Sequence, residues 1–392
     1  MTTRRDKGAG SVYLRSDGRW EGKVDLGRGA DGKRHRKAVY ARSRVEAVRK
    51  MRAVRDDHAR GLRSDSDQIT VADYLERWLV VSVEPKLAPS TSTRYAELVH
   101  LHIIPTIGGI RLKALNADAV QDMLNAKVAS GLAPRTVWHI RSVLRRALGQ
   151  AVRWRKIAYN VAAETDPPRV ERYRPTVLNP AQGSHLLEAV KGDRLEAVVT
   201  MALATGVRIG EALGLQWGDV HLGEDGTPAR ITIQRALQRS AGSLRIVAPK
   251  TRKSGRTLRL PDFAVQALLG QRTRQKMERL AMGTAWKGPA VTDAADAFVF
   301  TNSVGKPIDP TNLLHAFQRL VEAAGLPKMR FHDLRHGAAS TLLARGVHPK
   351  IVAELLGHSQ ISITLDTYSH VLPDLMAGVA DEMEAVYGSR SG

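Results

Sequence analysis

The chain has 392 residues and no cysteine, and its 60 Lys and Arg residues outnumber its 39 Asp and Glu residues, which gives a formal net charge of +21. The length indicates two or three domains. The lack of cysteine excludes disulfides and cysteine-ligated zinc or iron–sulfur sites, and no apolar run is long enough to cross a bilayer, so we expect a soluble intracellular protein without membrane contact. The charge favours nucleic acid as partner, although a merely basic protein is the alternative on charge alone.

Residues 1–63 predict a small sheet followed by a helix. An Asp-Gly pair at Gly18 marks a hairpin turn, and the later stretch KRHRKAVYA would add a third strand. Ser43 would cap a basic helix that ends at Gly61. This segment holds 19 Lys and Arg residues against 8 Asp and Glu residues, about half of the net charge of the chain. We therefore expect a DNA-reading module, with a solvated basic arm as the alternative.

Four helices are predicted in residues 70–168, after a polar linker at residues 64–69. They begin near Thr70, Pro89, Asn116 and Pro134. The last helix has an apolar stripe at helical spacing, formed by Val137, Ile140, Leu144 and Leu148. Its remaining faces carry Arg141, Arg145, Arg146 and Arg153, which predict a basic surface that grips DNA.

A basic linker at residues 169–176 precedes a third domain at residues 177–392. This domain opens with a helix capped by Asn179, then a buried helix, a Thr-Gly turn and a second helix that begins near Arg208. Three segments with alternating apolar residues predict one three-stranded sheet: 229–236, 243–250 and 255–261. The remainder has helical patterning. The expected fold class is mostly α with small β-sheets (α+β).

The stretch FHDLRHGAAS brings His332, Arg335 and His336 to neighbouring positions on a helix, because residues three and four apart are adjacent there. An arginine fork and an imidazole are both good ligands for phosphate oxygens. His358 and Tyr368 follow within the same C-terminal part. Since a phenol beside a phosphate-binding cluster is a candidate nucleophile, our hypothesis is that Tyr368 attacks a DNA phosphate.

Arg208 lies at the predicted start of a helix, where free backbone N–H groups and the helix dipole favour an anion. Glu211, one turn later, can reach back and orient its guanidinium group. Together with Arg335, Arg208 would stabilise the charge that builds on a phosphate in the transition state. Because the sequence shows no carboxylate cluster suited to a metal, we expect a metal-independent reaction without a cofactor.

Lys250 lies in a basic turn between two predicted strands, from which its ammonium group could protonate a leaving 5′ oxygen. Charge alone does not single it out, because nearby cationic residues compete for the same role: Arg252, Lys253 and Arg256.

Four motifs resemble those of the tyrosine recombinase family, in particular the integrases of phages and integrative elements: ATGVRIGEALGLQWGDV, PKTRKSGRTLRL, FHDLRHGAAS and LLGHSQISITLDTYSHV. They span residues 204–371 in the family's order. The resemblance implies a site-specific recombinase that cuts and rejoins DNA at attachment sites, through a 3′-phosphotyrosyl intermediate and a Holliday junction, to integrate or excise a mobile element. It also implies an arm-binding domain (1–63), a SAM-like helical core-binding domain (70–168) and a mixed α/β catalytic domain (177–392).

By position, the resemblance implies that Arg208 and Arg335 clamp the scissile phosphate and that Lys250 is the general acid. His332 matches a phosphate ligand and candidate general base, and His358 matches a further phosphate ligand.

Tyr368 matches the nucleophile of the family, and Glu211 and His336 are expected to support the site. Tyr387 is a rival phenol, but it lacks the flanking motif. The amphipathic segment 373–387 would dock either on a neighbouring protomer or on its own domain.

The expected partners are double-stranded DNA with core and arm sites and three further copies of the chain in a homotetramer on DNA. An excisionase and a DNA-bending host factor are further candidates, and the expected location is the nucleoid in the cytoplasm of a bacterial host. Two alternatives stay open. One is a type IB topoisomerase, which shares phosphotyrosyl chemistry, and the other is a DNA-binding regulator that has lost catalysis.

Overall fold

The structure is a computed structural model in which the chain forms two compact units, one up to residue 172 and one from residue 173 onward. It describes residues 11–28, 34–59, 68–171, 173, 175–223, 226–240, 242–248, 255–289, 294–358, 360–368 and 388. Of residues 28, 363 and 366–368 it describes the backbone alone.

The first unit begins with an antiparallel sheet in the order β1–β2–β3, followed by a helix: β1 (Ser11–Leu14), β2 (Trp20–Arg28), β3 (Arg34–Ala41) and α1 (Arg44–Ala59). Gly18 has a φ of +78° in the turn between β1 and β2. Ser43 Oγ accepts a hydrogen bond from the Glu46 N–H at 3.2 Å and so caps α1. Met51 of α1 packs onto the sheet at Gly22, where a Cβ would lie 2.5 Å from its sulfur. The predicted sheet and helix are therefore present.

The first unit continues as a helical bundle: α2 (Val71–Trp78), α3 (Pro89–Leu98), α4 (Ile104–Ile107), α5 (Ala117–Ala129) and α6 (Pro134–Arg153). Single π-helical turns extend α2 through Val83 and α3 through Ile103. Thr70 and Asp73 form a capping box in which each side chain accepts from the other residue's N–H at 3.1 Å. The apolar stripe predicted on α6 is fully buried in the core: Val137, Ile140, Leu144 and Leu148.

Arg141 differs from the expectation of a DNA-facing arginine. It is only 9% exposed, and its Nε donates to Thr165 Oγ1 at 2.9 Å while its Nη2 donates to the carbonyl of the same residue. Burial lowers the pKa of Arg141. The helical period places this residue beside the apolar stripe, so its guanidinium group binds the segment that follows α6 and does not face outward.

The second unit is mostly helical. Its helices are α7 (Pro180–Ala189), α8 (Glu196–Thr205), α9 (Ile209–Leu213), α10 (Asp262–Met282), α11 (Pro310–Ala323), α12 (Phe331–Ala344), α13 (Pro349–Leu356) and α14 (Ile361–Tyr368). Its strands are β4 (Val220–His221), β5 (Arg230–Ile233), β6 (Ala236–Ser240), β7 (Ser243–Val247) and β8 (Arg256–Arg259). Asn179 caps α7 by accepting from the Gln182 N–H at 2.8 Å. The predicted fold class, mostly α with small sheets, is confirmed.

The expectation that three segments form one sheet is wrong. β5 pairs with β8 on one side and with the short β4 on the other, whereas β6 and β7 form a separate hairpin. The extended strand is interrupted between Ile233 and Ala236, and Arg235 in this interruption binds the buried carboxylate of Asp219. The short turn at Gly242, with a φ of +78°, then pairs β6 with β7, which leaves an edge of β5 for β8.

Candidate active site

Helix α12 carries His332, Arg335 and His336 in its first two turns, as the spacing predicts. Arg335 is only 2% exposed. Its Nη1 donates to the carbonyl of Gly206 at 2.7 Å and its Nη2 to the carbonyl of Leu356 at 2.6 Å. Two turns from distant parts of the chain therefore fix the plane of this guanidinium group.

Arg208 follows the turn that ends α8, where Gly206 has a φ of +65°. Helix α9 begins directly after it, and Glu211 accepts from the Arg208 N–H at 3.1 Å and from its Nη1 at 2.6 Å. The other terminal nitrogen, Nη2, donates to the carbonyl of Gly357 at 3.3 Å. Because only glycine adopts this left-handed conformation readily, the Thr-Gly turn is what aims Arg208.

Both arginines thus reach the same turn, at Leu356 and Gly357, directly before His358. His358 is half-buried, and its Nδ1 lies 2.7 Å from Thr364 Oγ1 on α14. A hydrogen bond at Nδ1 leaves Nε2 as the ring nitrogen for any further ligand. The result is a cluster of four side chains from three chain segments: Arg208, His332, Arg335 and His358.

The histidines in this cluster are held neutral. Burial, followed by the nearby His336 and Arg335, lowers the pKa of His332 to about 4. Burial, followed by Arg335 and Arg208, lowers the pKa of His358 to about 4, and burial also lowers the pKa of His336. The His332 side chain nevertheless has an exposed edge, so water screens part of its shift and an anion can reach it.

Arg256 belongs to the same network, although its position in the sequence indicates only a competitor of Lys250. Its side chain is 8% exposed, its Nη2 donates to Glu211 Oε2 at 2.8 Å, and its Nε donates to the carbonyl of Leu355 at 2.7 Å. Glu211 therefore joins Arg256 to Arg208. Since 45 residues separate Arg256 from Glu211, no local spacing could have revealed this contact.

Tyr368 is the last residue of α14, the helix that Thr364 attaches to His358. Thr364 and Tyr368 are four positions apart on this helix, so one helical turn, about 6 Å along the axis, separates their backbones. The side chain of Tyr368 lies outside the described residues, as do Lys250 and Tyr387. Thr364, fully buried, is a contact that the sequence analysis missed; its only signal was the position one turn before the candidate nucleophile.

The cluster is cationic at its centre. Arg208, Arg335 and Arg256 carry three positive charges and the imidazoles are neutral, whereas Glu211, the buried carboxylate that binds Arg208 and Arg256, carries one negative charge. Such a site attracts an anion with several oxygens, and a phosphodiester fits its guanidinium donors. Within the described residues, no three His, Cys, Asp or Glu side chains are grouped so that they could hold a metal ion. Across the same part of the chain, no helix is long and apolar enough to cross a membrane.

Two family models match the chain. Residues 176–374 match the phage integrase family, and residues 70–128 match the phage integrase N-terminal SAM-like domain. The first match covers half of the chain. The chain belongs to the phage integrase family.

Relatives of this phage integrase family member are named as integrases or tyrosine recombinases. It is 32% identical to an integrase of Streptomyces ambofaciens, over 99% of this chain and 98% of the relative. It is 29% identical to a tyrosine recombinase XerC-like protein of Caldanaerobacter subterraneus subsp. tengcongensis, over 93% of this chain and 95% of the relative. The protein is therefore a site-specific recombinase of the tyrosine integrase type, an enzyme that cuts and rejoins DNA.

Solved structures show the same fold. The Tn1549 transposon integrase in complex with a circular intermediate DNA matches with a TM-score of 0.66 and 22% identity, over 81% of this chain and 100% of that chain. A lambda integrase tetramer bound to a Holliday junction matches with a TM-score of 0.56 and 18% identity, over 93% of this chain and 96% of that chain. The matches favour neither the topoisomerase nor the silent regulator.

Proposed function

We propose that this integrase breaks DNA by attack of the Tyr368 hydroxyl on a phosphodiester held by Arg208, Arg335, His332 and His358. The new bond joins the phenolic oxygen to phosphorus as a 3′-phosphotyrosyl link, and the bond to the 5′ oxygen breaks. The observation that carries the proposal is that both arginines end on the turn directly before His358. Three chain segments thereby form one anion site next to the helix that ends at Tyr368.

In this mechanism Arg208 and Arg335 neutralise the negative charge that builds on the non-bridging oxygens of the phosphate. Because carbonyl groups and Glu211 already fix both guanidinium planes, little reorganisation is needed when DNA binds. His332, neutral in the free protein, can accept the phenolic proton as general base.

The remaining roles follow from the family pattern. His358 would donate a hydrogen bond to the phosphate through Nε2, because Thr364 occupies its other ring nitrogen. Lys250 would give a proton to the leaving 5′ oxygen as general acid. Glu211 and His336 would support the arginines and His332, respectively. No metal ion or cofactor is part of this proposal.

The rejoining step reverses the chemistry. A 5′-hydroxyl from the partner duplex attacks the phosphotyrosyl link, so the number of phosphodiester bonds is conserved and no energy-rich cofactor is consumed. Four protomers would exchange strands in pairs through a Holliday junction. The similarity to a lambda integrase tetramer bound to such a junction supports this assembly.

Each domain would have a different role on DNA. Residues 1–63 would bind arm sites, residues 70–168 the core site, and residues 177–392 would cut and rejoin, with linkers at 64–69 and 169–176. The match of residues 70–128 to the SAM-like domain supports the role given to the second domain, and the net charge of +21 supports DNA as the partner. An excisionase and a DNA-bending host factor would control direction, and the reaction would take place at the nucleoid of a bacterial host.

A nicked DNA substrate tests the proposal, because the short strand beyond the cut diffuses away and traps the covalent intermediate. We expect an adduct that survives SDS and forms in EDTA with the natural chain. Tyr368→Phe should abolish this adduct, whereas the control Tyr387→Phe should leave it intact. An adduct that persists in Tyr368→Phe would show that another residue is the nucleophile.

A further inference from the structure

Tyr173, in the segment that the sequence predicts as a linker, is the first residue of the second unit. Its hydroxyl donates to Asp333 Oδ2 at 2.5 Å, and the guanidinium carbon of Arg330 lies 3.3 Å from the centre of its ring. Three residues further on, Thr176 Oγ1 donates to the carbonyl of Lys328 at 3.1 Å. The segment is therefore docked at the start of α12.

Asp333 is fully buried in the first turn of α12, next to His332 and two positions before Arg335. Its carboxylate accepts from the Arg330 N–H at 2.8 Å and from Arg330 Nη2 at 3.1 Å. Burial alone would raise the pKa of Asp333, but the Tyr173 hydroxyl and the Arg330 donors lower it on balance. A buried charge is costly unless hydrogen bonds compensate it. The bond from the Tyr173 hydroxyl adds to the two bonds from Arg330 that stabilise the Asp333 carboxylate.

We propose that Tyr173 is a positioning residue for the His332–Arg335 pair, acting through Asp333 and Arg330. The tyrosine itself is 51% exposed, so it adds little buried apolar area to the fold. Its hydroxyl and ring instead fix the capping carboxylate from which the first turn of α12 begins. Catalytic geometry is sensitive to the position of this turn, because a misplacement of about 1 Å at reacting groups can slow a reaction about 100-fold. This inference rests on the proposed roles of His332 and Arg335.

The chain offers matched variants. Tyr173→Phe removes only the hydrogen bond to Asp333 and keeps the ring beneath Arg330, whereas Tyr173→Leu removes both contacts. Thr176→Val is the control, because it also removes a hydrogen bond of the docked segment, but to the Lys328 carbonyl. Asp333→Asn provides the background in which the Tyr173 hydroxyl no longer meets a charged carboxylate, although one amide oxygen can still accept its hydrogen bond.

The kinetic measurement is single-turnover cleavage of the nicked substrate at saturating DNA, with DNA affinity and the thermal midpoint measured beside it. We expect Tyr173→Phe to slow cleavage about tenfold, as for a lost hydrogen bond to a charged group, while affinity changes less than about twofold. Tyr173→Leu should be slower still, and Thr176→Val should match the natural chain. In the Asp333→Asn background, Tyr173→Phe should cause a smaller further loss than in the natural chain, because the hydroxyl there meets a neutral amide and not a charge. Equal losses in both backgrounds, or an unchanged rate in Tyr173→Phe, would overturn the proposal.

Hydrogen exchange of the DNA-free protein tests the contact independently of activity. Tyr173→Phe should speed amide exchange in the first turn of α12, and Thr176→Val should not. Unchanged exchange there would overturn the positioning role even if cleavage fell. Failure of the natural chain to form any adduct would instead refute the proposed function, so the two failures are distinguishable.

Discussion

Replacing Glu211 with glutamine removes the negative charge that two arginines share. The side chains of Glu211 and Arg256 are 6% and 8% exposed, whereas that of Arg208 is 38% exposed. Burial alone would raise the pKa of Glu211, but Arg256 and Arg208 lower it on balance, so the group is a carboxylate at neutral pH. Glutamine keeps the size and one acceptor oxygen, but it turns an N–H₂ donor towards one of the guanidinium groups.

The largest cost arises at Arg256, which would keep a buried charge without its partner. Removing one member of a buried ion pair costs about 3–5 kcal/mol, and because the amide oxygen is retained we expect a loss of about 3 kcal/mol. For a unit of this size this corresponds to a fall of about 6–12 °C in the unfolding midpoint. Cleavage at saturating DNA should fall by about tenfold or more, because Arg208 loses the group that orients it.

Scanning calorimetry of the full chain measures the midpoint, and adduct formation well below that temperature measures cleavage. The matched control is Glu188→Gln, since Glu188 and its partner Lys191 are 73% and 68% exposed at 3.3 Å. The control should shift the midpoint by less than about 2 °C. A Glu211→Gln protein that behaves like this control in both assays would refute the idea that one carboxylate holds the arginines.

Three further predictions follow from the site and the proposed domains. An anion favours the charged imidazole, and His358, whose pKa is lowered to about 4, is neutral in the free protein. A phosphate at its Nε2 should therefore make DNA binding take up a proton, and affinity should rise as pH falls from about 7.5 to about 5.5. A pH-independent dissociation constant in direct titrations would contradict this. Thr364→Val should slow cleavage about tenfold while Thr364→Ser restores it, because only the hydroxyl binds His358; equal rates for the two variants would count against the contact. Deletion of residues 1–63 should abolish recombination of full attachment sites and spare cleavage of the core site, and simultaneous loss of both activities would argue against a separate arm function.

Local patterns in the sequence predicted the elements that local physics controls. Capping by Ser43 and Asn179 and the Gly206 turn depend on residues within one helical turn, so side-chain type and spacing sufficed. That His332 and Arg335 are adjacent on one helix face follows from the helical period alone. For this reason the proposed phosphate-binding pair could be expected before any contact was known.

The contacts that escaped prediction join distant parts of the chain. Tyr173 and Asp333 are 160 residues apart, and Arg256 and the Leu355 carbonyl are 99 apart. Whether an arginine faces solvent or a buried partner, as at Arg141, depends on what tertiary packing brings to it. The division between β5 and β6 likewise depends on which strand edge a short hairpin leaves open. Alternating apolar residues indicate which face of a strand is buried, but they do not identify its partner strand.

The central claim is that Tyr368 forms the covalent bond to DNA, and mapping the attached residue tests it most directly. The adduct formed by the natural chain on the nicked substrate is trimmed with nuclease and digested N-terminal to aspartate. This digestion separates residues 366–373, which contain Tyr368, from residues 381–392, which contain Tyr387. We predict that the nucleotide mass lies on Tyr368 in the first peptide. The same mass on Tyr387, or on any other residue, would contradict the account.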